Sequence, residues 1–159
     1  KIFRNTKYSE ELCRALAEQF QDAGVEVVIG PAMGAVQMAY EVSRHLECEN
    51  FFAEREDGKM TLRRGFVVKP GMKVLLVEDV VTTGGSVKEV MEIVREAGGE
   101  IVGVGSIVDR TNGKMDFGVP FKSVIAVDVQ AWEPQDCPLC KEGKVELVKP
   151  GSRKLPVKK

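Results

Sequence analysis

Two adjacent acids and, shortly after them, a cluster of hydroxyl residues and glycines occur in VLLVEDVVTTGGS, residues 74–86. The ionised carboxylates of Glu78 and Asp79 accept hydrogen bonds only, which suits the hydroxyls of a sugar or the water shell of Mg²⁺. Thr82, Thr83, Gly84, Gly85 and Ser86 then open a helical pattern. Free N–H groups and the positive dipole end of a helix favour an anion, and glycines let backbone approach it closely. An acid pair followed by a phosphate cup describes a receptor for a sugar phosphate. Either half alone is better explained as an ordinary strand–helix turn with a Thr/Ser cap and a solvated acid pair. Other phosphate motifs are absent. There is no G-x-x-x-x-G-K-[ST], and Gly103 and Gly105 lie in a predicted strand with Val108 where a third glycine would fall.

These residues need a scaffold, and the apolar pattern supplies one. Residues 25–30, 73–77 and 101–108 are apolar runs of strand length, with shorter strands predicted at 50–54 and 123–129. Between them fall helical patterns. Leu12, Leu16 and Phe20 recur every four residues after a start capped by Ser9 with Glu10 and Glu11, and Gly24 terminates the run. A second helix is predicted over 36–46, with Val36, Tyr40 and Ser43 on one side and Ala39, Val42 and Leu46 beside them. A third carries Val87, Val90, Met91, Val94 and Ala97 and ends at Gly98-Gly99. Apolar strands alternating with helices predict an α/β fold, doubly wound, with a mainly parallel sheet flanked by helices. In such sheets ligands sit beyond the carboxyl ends of the strands, where Glu78 and Asp79 are expected at the end of the 73–77 strand.

Composition narrows the partners. The chain has 159 residues, enough for one domain with a core. Its 23 basic and 24 acidic residues nearly cancel, so no basic excess exists to neutralise a nucleic-acid backbone. No apolar run reaches the roughly 20 residues of a membrane helix, and the start, KIFRNTKYSEEL, has no apolar signal-peptide core. The four cysteines, at 13, 48, 137 and 140, are too few and scattered for a disulfide scaffold and point to reduced thiols in a cytoplasm. Residues 55–65, REDGKMTLRRG, are charged and aperiodic, and are predicted to form a long mobile loop, with frayed hairpin arms at most. From Ala131 on, Pro, Lys and Gly predict an irregular tail over 131–159 that wraps the surface.

The stretch VLLVEDVVTTGGS resembles the signature with which type I phosphoribosyltransferases bind phosphoribosyl pyrophosphate (PRPP). The loop FFAEREDGKMTLRRGF, the strand end VDR at 108–110 and the tail CPLCKEGKVELVKPGSR are similar, more narrowly, to the bacterial orotate-using members. The resemblance covers essentially the whole chain. It implies a single phosphoribosyltransferase domain that transfers phosphoribosyl from PRPP to orotate, with Mg²⁺, in pyrimidine biosynthesis. Glu78 and Asp79 would then hold the ribose hydroxyls, and residues 82–86 the 5′-phosphate. Thr82 would also lie near orotate, and Arg110 would pair with it through a planar fork of donors. A surface salt bridge of Arg110 with Asp109 or Asp116 is the plainer alternative.

The resemblance further implies that the 55–65 loop closes over PRPP across a homodimer interface, Arg55 and Lys59 binding the pyrophosphate. Lys59 and Asp79 are the catalytic candidates. Ala32, Met33 and Gly34, in GPAMGA, would meet the leaving diphosphate through backbone N–H groups. Some members carry a lysine in this loop and this chain does not. The family's hood over the base would precede Lys1, so it is expected to be absent from this chain. No metal ligand set is read from the residues: Mg²⁺ is expected mainly through PRPP and water. The Cys137/Cys140 pair supplies two of four zinc ligands and is expected to be structural, and His45 to be a surface side chain. The rivals are a purine-salvage phosphoribosyltransferase, a PRPP-sensing regulator and an inactive homologue. A regulator needs a DNA-binding module, and none is visible.

Overall fold

The apolar runs around Val27, Val74 and Val104 become adjacent parallel strands. In the computed structural model, which describes residues 2–129, 132–133 and 135–143, the chain order is α1 (Thr6–Ala17), β1 (Val27–Pro31), α2 (Val36–Leu46), β2 (Glu49–Glu56), β3 (Lys59–Leu62), β4 (Lys73–Val81), α3 (Gly85–Glu96), β5 (Glu100–Asp109), β6 (Phe121–Ala126) and α4 (Pro138–Glu142). The strands form one sheet in the order β3-β2-β1-β4-β5-β6. All neighbours pair in parallel except β2 and β3, which are antiparallel at one edge. The chain divides into two compact units, Lys1–Asp128 and Val129–Lys159. The sheet lies in the first and α4 in the second.

Helices cover both faces, as the doubly wound pattern requires. Val87, Val90, Met91 and Val94 of α3 pack with Val27, Ile29, Val74, Leu76 and Val104 on one face. Cys13, Leu16 and Ala17 of α1 and Met38, Ala39 and Val42 of α2 pack with Val28, Leu75, Val77 and Ile107 on the other. Each fully buried aliphatic side chain contributes roughly 1.5–3 kcal/mol, so two such layers hold the central strands firmly. From β1 the chain moves outward to β2 on one side and returns to β4 on the other. The carboxyl ends of β1 and β4 therefore flank the point where strand order reverses, the standard ligand crevice of an open α/β sheet.

Several element boundaries differ from the sequence expectation. The first helix begins at Thr6, with Asn5 as cap: its Oδ1 accepts from the Lys7 N–H at 3.1 Å. Ser9 is instead inside the helix, donating its hydroxyl to the Asn5 carbonyl. On α2 the buried side is Met38, Ala39, Val42 and Ser43, and Tyr40 is exposed. β4 runs on to Val81, because β5 continues beside it to Asp109. Glu78 and Asp79 are thus within the strand rather than beyond it. The last strand starts and stops earlier than residues 123–129, since its pairing with β5 ends at Asp109 opposite Ala126.

The largest revision concerns residues 55–65. Arg55 pairs with Met60 and Glu56 with Lys59 in a hairpin closed by Asp57-Gly58, whose φ angles are 50° and 83°. Asp-Gly is a preferred two-residue hairpin turn, and it overrides the weak periodicity of the arms. In the tail, Cys137 caps the short helix α4, so that part is not irregular. The rest of the tail, with KVELVKPGSR and its expected course over the surface, lies outside the described residues.

Candidate active site

Three loops meet at the carboxyl ends of β1, β4 and β5. The first follows β1 and holds Ala32, Met33 and Gly34, with a cis peptide between Ala32 and Met33. The Ala32 N–H donates to the Ala53 carbonyl, which ties this loop to β2. Met33 is 85% exposed, so its side chain takes no part in the core. Gly34 lies directly against the acid pair. A Cβ built there would stand 3.1 Å from Asp79 Oδ1, closer than nearly all real contacts.

Glu78 and Asp79 sit side by side on β4, where the Asp79 carboxyl bears on that of Glu78. The Asp79 N–H donates to Glu78 Oε1 at 3.2 Å, and the Val80 N–H to Asp79 Oδ1 at 2.9 Å. Burial pushes the Glu78 carboxyl up to about 8, and the Asp79 carboxyl beside it adds to the rise. The folded protein therefore keeps a proton that the unfolded chain loses near its ordinary value of 4.5. The sign follows: more protons are bound folded than unfolded, so stability falls as pH rises from about 4.5 to about 8. Unfolding by denaturant across that range should show a steady decline in the wild type. Glu78→Gln should flatten it, and an equal slope in the variant would remove Glu78 as the cause.

The second loop forms an anion cup. Gly84, with φ 69°, precedes α3 without any side-chain cap, leaving the first N–H groups of the helix to a ligand. Gly84 cannot readily be replaced: a Cβ would meet Phe117 Cε1 at 2.8 Å, at a φ that side chains avoid. Phe117 and Met115 thus form the floor of the turn. Thr82, Thr83 and Gly85 are exposed and Ser86 half-buried, so their polar atoms face solvent.

The third loop begins with Arg110, whose N–H donates to the Val81 carbonyl at 2.9 Å. This bond sets Arg110 beside the start of the cup. Its side chain is exposed, and no carboxylate among the described residues pairs with it. Asp109 is engaged elsewhere. It is buried and accepts from the Thr111 N–H and hydroxyl, each at 2.7 Å, and from the Gly113 N–H at 2.8 Å. Burial alone would raise its carboxyl; the bonds from Thr111 and Gly113 outweigh that and hold it below the ordinary range. Asp109 was not among the sequence candidates, although Asp-x-Thr-x-Gly is a recognisable turn pattern. Asp109→Ala should lower unfolding stability by roughly 2–4 kcal/mol and loosen the loop that carries Arg110. Thermal unfolding checks this, and an unchanged midpoint would contradict it.

The hairpin candidates stand apart from these loops. Arg55 donates to the Gly58 carbonyl at 2.8 Å and pairs with Glu89 of α3 at 2.6 Å. Lys59 is exposed at the start of β3, with no ion pair among the described residues. With strands about 4.8 Å apart, β3 lies roughly 14 Å across the sheet from β4. His45 sits on α2 beside Glu41 at 3.4 Å, away from the strand ends. Among the described residues, no group of three metal-ligating side chains is found and no helix is long and apolar enough to cross a membrane.

This geometry has known counterparts. The phosphoribosyl transferase domain family matches residues 2–139. The chain is 59% identical to an orotate phosphoribosyltransferase of Caldanaerobacter subterraneus over 98% of its own length and 81% of that protein's. It is 54% identical to one of Thermotoga maritima, over 98% and 82%. Among solved structures, a phosphoribosyltransferase from Corynebacterium diphtheriae superposes with a TM-score of 0.68 at 31% identity, covering 79% of this chain and 78% of that one. An adenine phosphoribosyltransferase from Rhodothermus marinus has the same fold, with a TM-score of 0.69 at 20% identity over 79% and 83%.

Proposed function

The chain belongs to the phosphoribosyl transferase family and, within it, to the orotate phosphoribosyltransferases, and from that premise we propose how its crevice carries out the reaction. The enzyme transfers phosphoribosyl from PRPP to orotate, giving orotidine 5′-monophosphate and pyrophosphate, a step of pyrimidine biosynthesis. One observation carries the assignment of the site: the Arg110–Val81 bond joins the acid pair, the uncapped start of α3 and a free guanidinium into one crevice.

In this proposal the 5′-phosphate occupies the N–H groups and hydroxyls of residues 82–86, and the ribose hydroxyls donate to Glu78 and Asp79. Because ionised Glu78 is the better acceptor, PRPP binding near neutral pH releases a proton from it. Arg110 takes the orotate carboxylate and the adjacent carbonyl, with Thr82 beside the base. The bond from the anomeric carbon to the diphosphate oxygen breaks while a ring nitrogen of orotate bonds to that carbon. Positive charge develops on the ribose and negative charge on the departing diphosphate. Backbone N–H groups of Ala32, Met33 and Gly34 and the cations Arg55 and Lys59 stabilise the latter.

Two carboxylates are hard oxygen donors that suit Mg²⁺, yet too few to cage it, so the ion is assigned to PRPP and water with Glu78 and Asp79 alongside. When bound it neutralises charge on the diphosphate. The working unit is taken to be a homodimer in which residues 55–65 complete the neighbour's site. The separation of β3, which carries Lys59, from β4 and the engagement of Arg55 by Glu89 support this. The whole chain is read as one catalytic domain with residues 131–159 as its tail, working in the cytoplasm with its four cysteines outside any disulfide.

The test is a substrate panel. The protein is incubated with PRPP, Mg²⁺ and orotate, uracil, adenine, guanine or hypoxanthine in turn. Orotate alone should release pyrophosphate at a rate above background. Turnover of a purine without turnover of orotate would overturn the substrate assignment.

A further inference from the structure

The proposed reaction leaves one chemically distinctive motif unused, the Cys137-Pro138-Leu139-Cys140 segment at the start of α4. Cys137 is the cap of that helix, and its Sγ accepts the Cys140 N–H at 3.4 Å. That hydrogen bond, together with the influence of the Cys140 side chain, the Leu139 N–H and the Lys141 charge, favours the thiolate and holds the Cys137 thiol below its ordinary value. The other two thiols of the chain are the opposite case. Burial pushes Cys13 up to about 12 and Cys48 up to about 11. Cys137 is half-buried and Cys140 exposed, so reagents reach both.

A metal knuckle needs two more ligands than this pair provides. Residues 144–159 contain no cysteine or histidine, and no third ligand stands near among the described residues. A dithiol needs no third group.

We propose that Cys137 and Cys140 form a reactive dithiol site that exchanges with small-molecule disulfides and closes an intrachain disulfide. The Cys137 thiolate attacks one sulfur of a disulfide RSSR, forming a Cys137–SR mixed disulfide and expelling RS⁻. The Cys140 thiol loses its proton to solvent and attacks Cys137 Sγ, which closes the ring and expels the second RS⁻. Two protein thiols are oxidised and one RSSR is reduced to two RSH. Cys137 is the attacking residue and Cys140 the resolving one.

The test exposes the full chain to oxidised glutathione at pH 7 and follows the modified residues by mass spectrometry. The wild type should lose two hydrogens within the 137–140 segment, at a rate at least about tenfold above any change at Cys13 or Cys48. Cys140→Ser should instead accumulate a stable glutathione adduct on Cys137, and Cys137→Ser should lose the fast reaction. Both side chains are accessible, so neither variant disturbs the core. Cys137 reacting no faster than Cys48, or a stable adduct in the wild type, would overturn the proposal. So would Zn²⁺ that survives dialysis against a chelator and shields both thiols from alkylation, since that assigns the pair to a metal.

Discussion

Replacing Lys59 with alanine should lower the turnover number by roughly 100- to 1,000-fold while leaving the KM for PRPP within about threefold. The reason lies in when its partner charge appears. In the ground state the diphosphate already shares its charge with Mg²⁺ and water. The extra negative charge forms only as the anomeric bond breaks, so a cation aimed at it acts mainly on the transition state. Lys59 suits this role because it is exposed at the tip of the β2–β3 hairpin and forms no ion pair among the described residues. Arg55, by contrast, must first leave Glu89. Affinity for orotidine 5′-monophosphate, which has no diphosphate, should be unaffected by Lys59→Ala. Equal losses in turnover and PRPP affinity would mean uniform binding instead. Mixing Lys59→Ala with Asp79→Asn subunits adds a test of the dimer. Hybrid dimers regain activity if hairpins cross between subunits, and none if each site is self-contained.

Asp79→Asn should behave differently. It keeps the side chain's size beside Gly34, whose missing Cβ leaves the space that Asp79 approaches, but replaces an ionised acceptor with a neutral amide. A hydrogen bond to a charged group is worth about 1.5–3 kcal/mol, so kcat/KM for PRPP should fall by roughly 10- to 150-fold. The ribose hydroxyls are present in substrate and product alike, so orotidine 5′-monophosphate should bind more weakly by a similar factor. Fluorescence or calorimetric titration of the product separates the two variants. An Asp79→Asn protein that binds the product normally would remove this carboxylate from the ribose site.

How much of this was legible in the sequence depends on which physical signal was local. Apolar runs such as Val74–Val77 identified the parallel sheet, because strands buried on both faces carry no polar alternation. The 36–46 helix emerged with its boundaries intact. The hairpin emerged only as frayed arms of a loop, because its arms mix charged and half-buried residues, and only Asp57-Gly58 marks the turn. Of the candidate site, Glu78, Asp79 and the 82–86 turn are contiguous and could be read as one unit. The Asp109 turn is local, and its Asp-x-Thr-x-Gly pattern was open to reading. Phe117 was not: its role, flooring the Gly84 turn, arises from a contact that tertiary packing creates. Arg55 shows the same limit: its pairing with Glu89 spans 34 residues and joins two elements that no local pattern connects.

The most direct measurement is a crystal structure of the protein with orotidine 5′-monophosphate. The 5′-phosphate should accept hydrogen bonds from the N–H groups of residues 83–86, the ribose hydroxyls should donate to Glu78 and Asp79, and the base carboxylate should face the Arg110 guanidinium. A phosphate seated on Arg55 and Lys59 instead, with the acid pair left to solvent, would contradict the account.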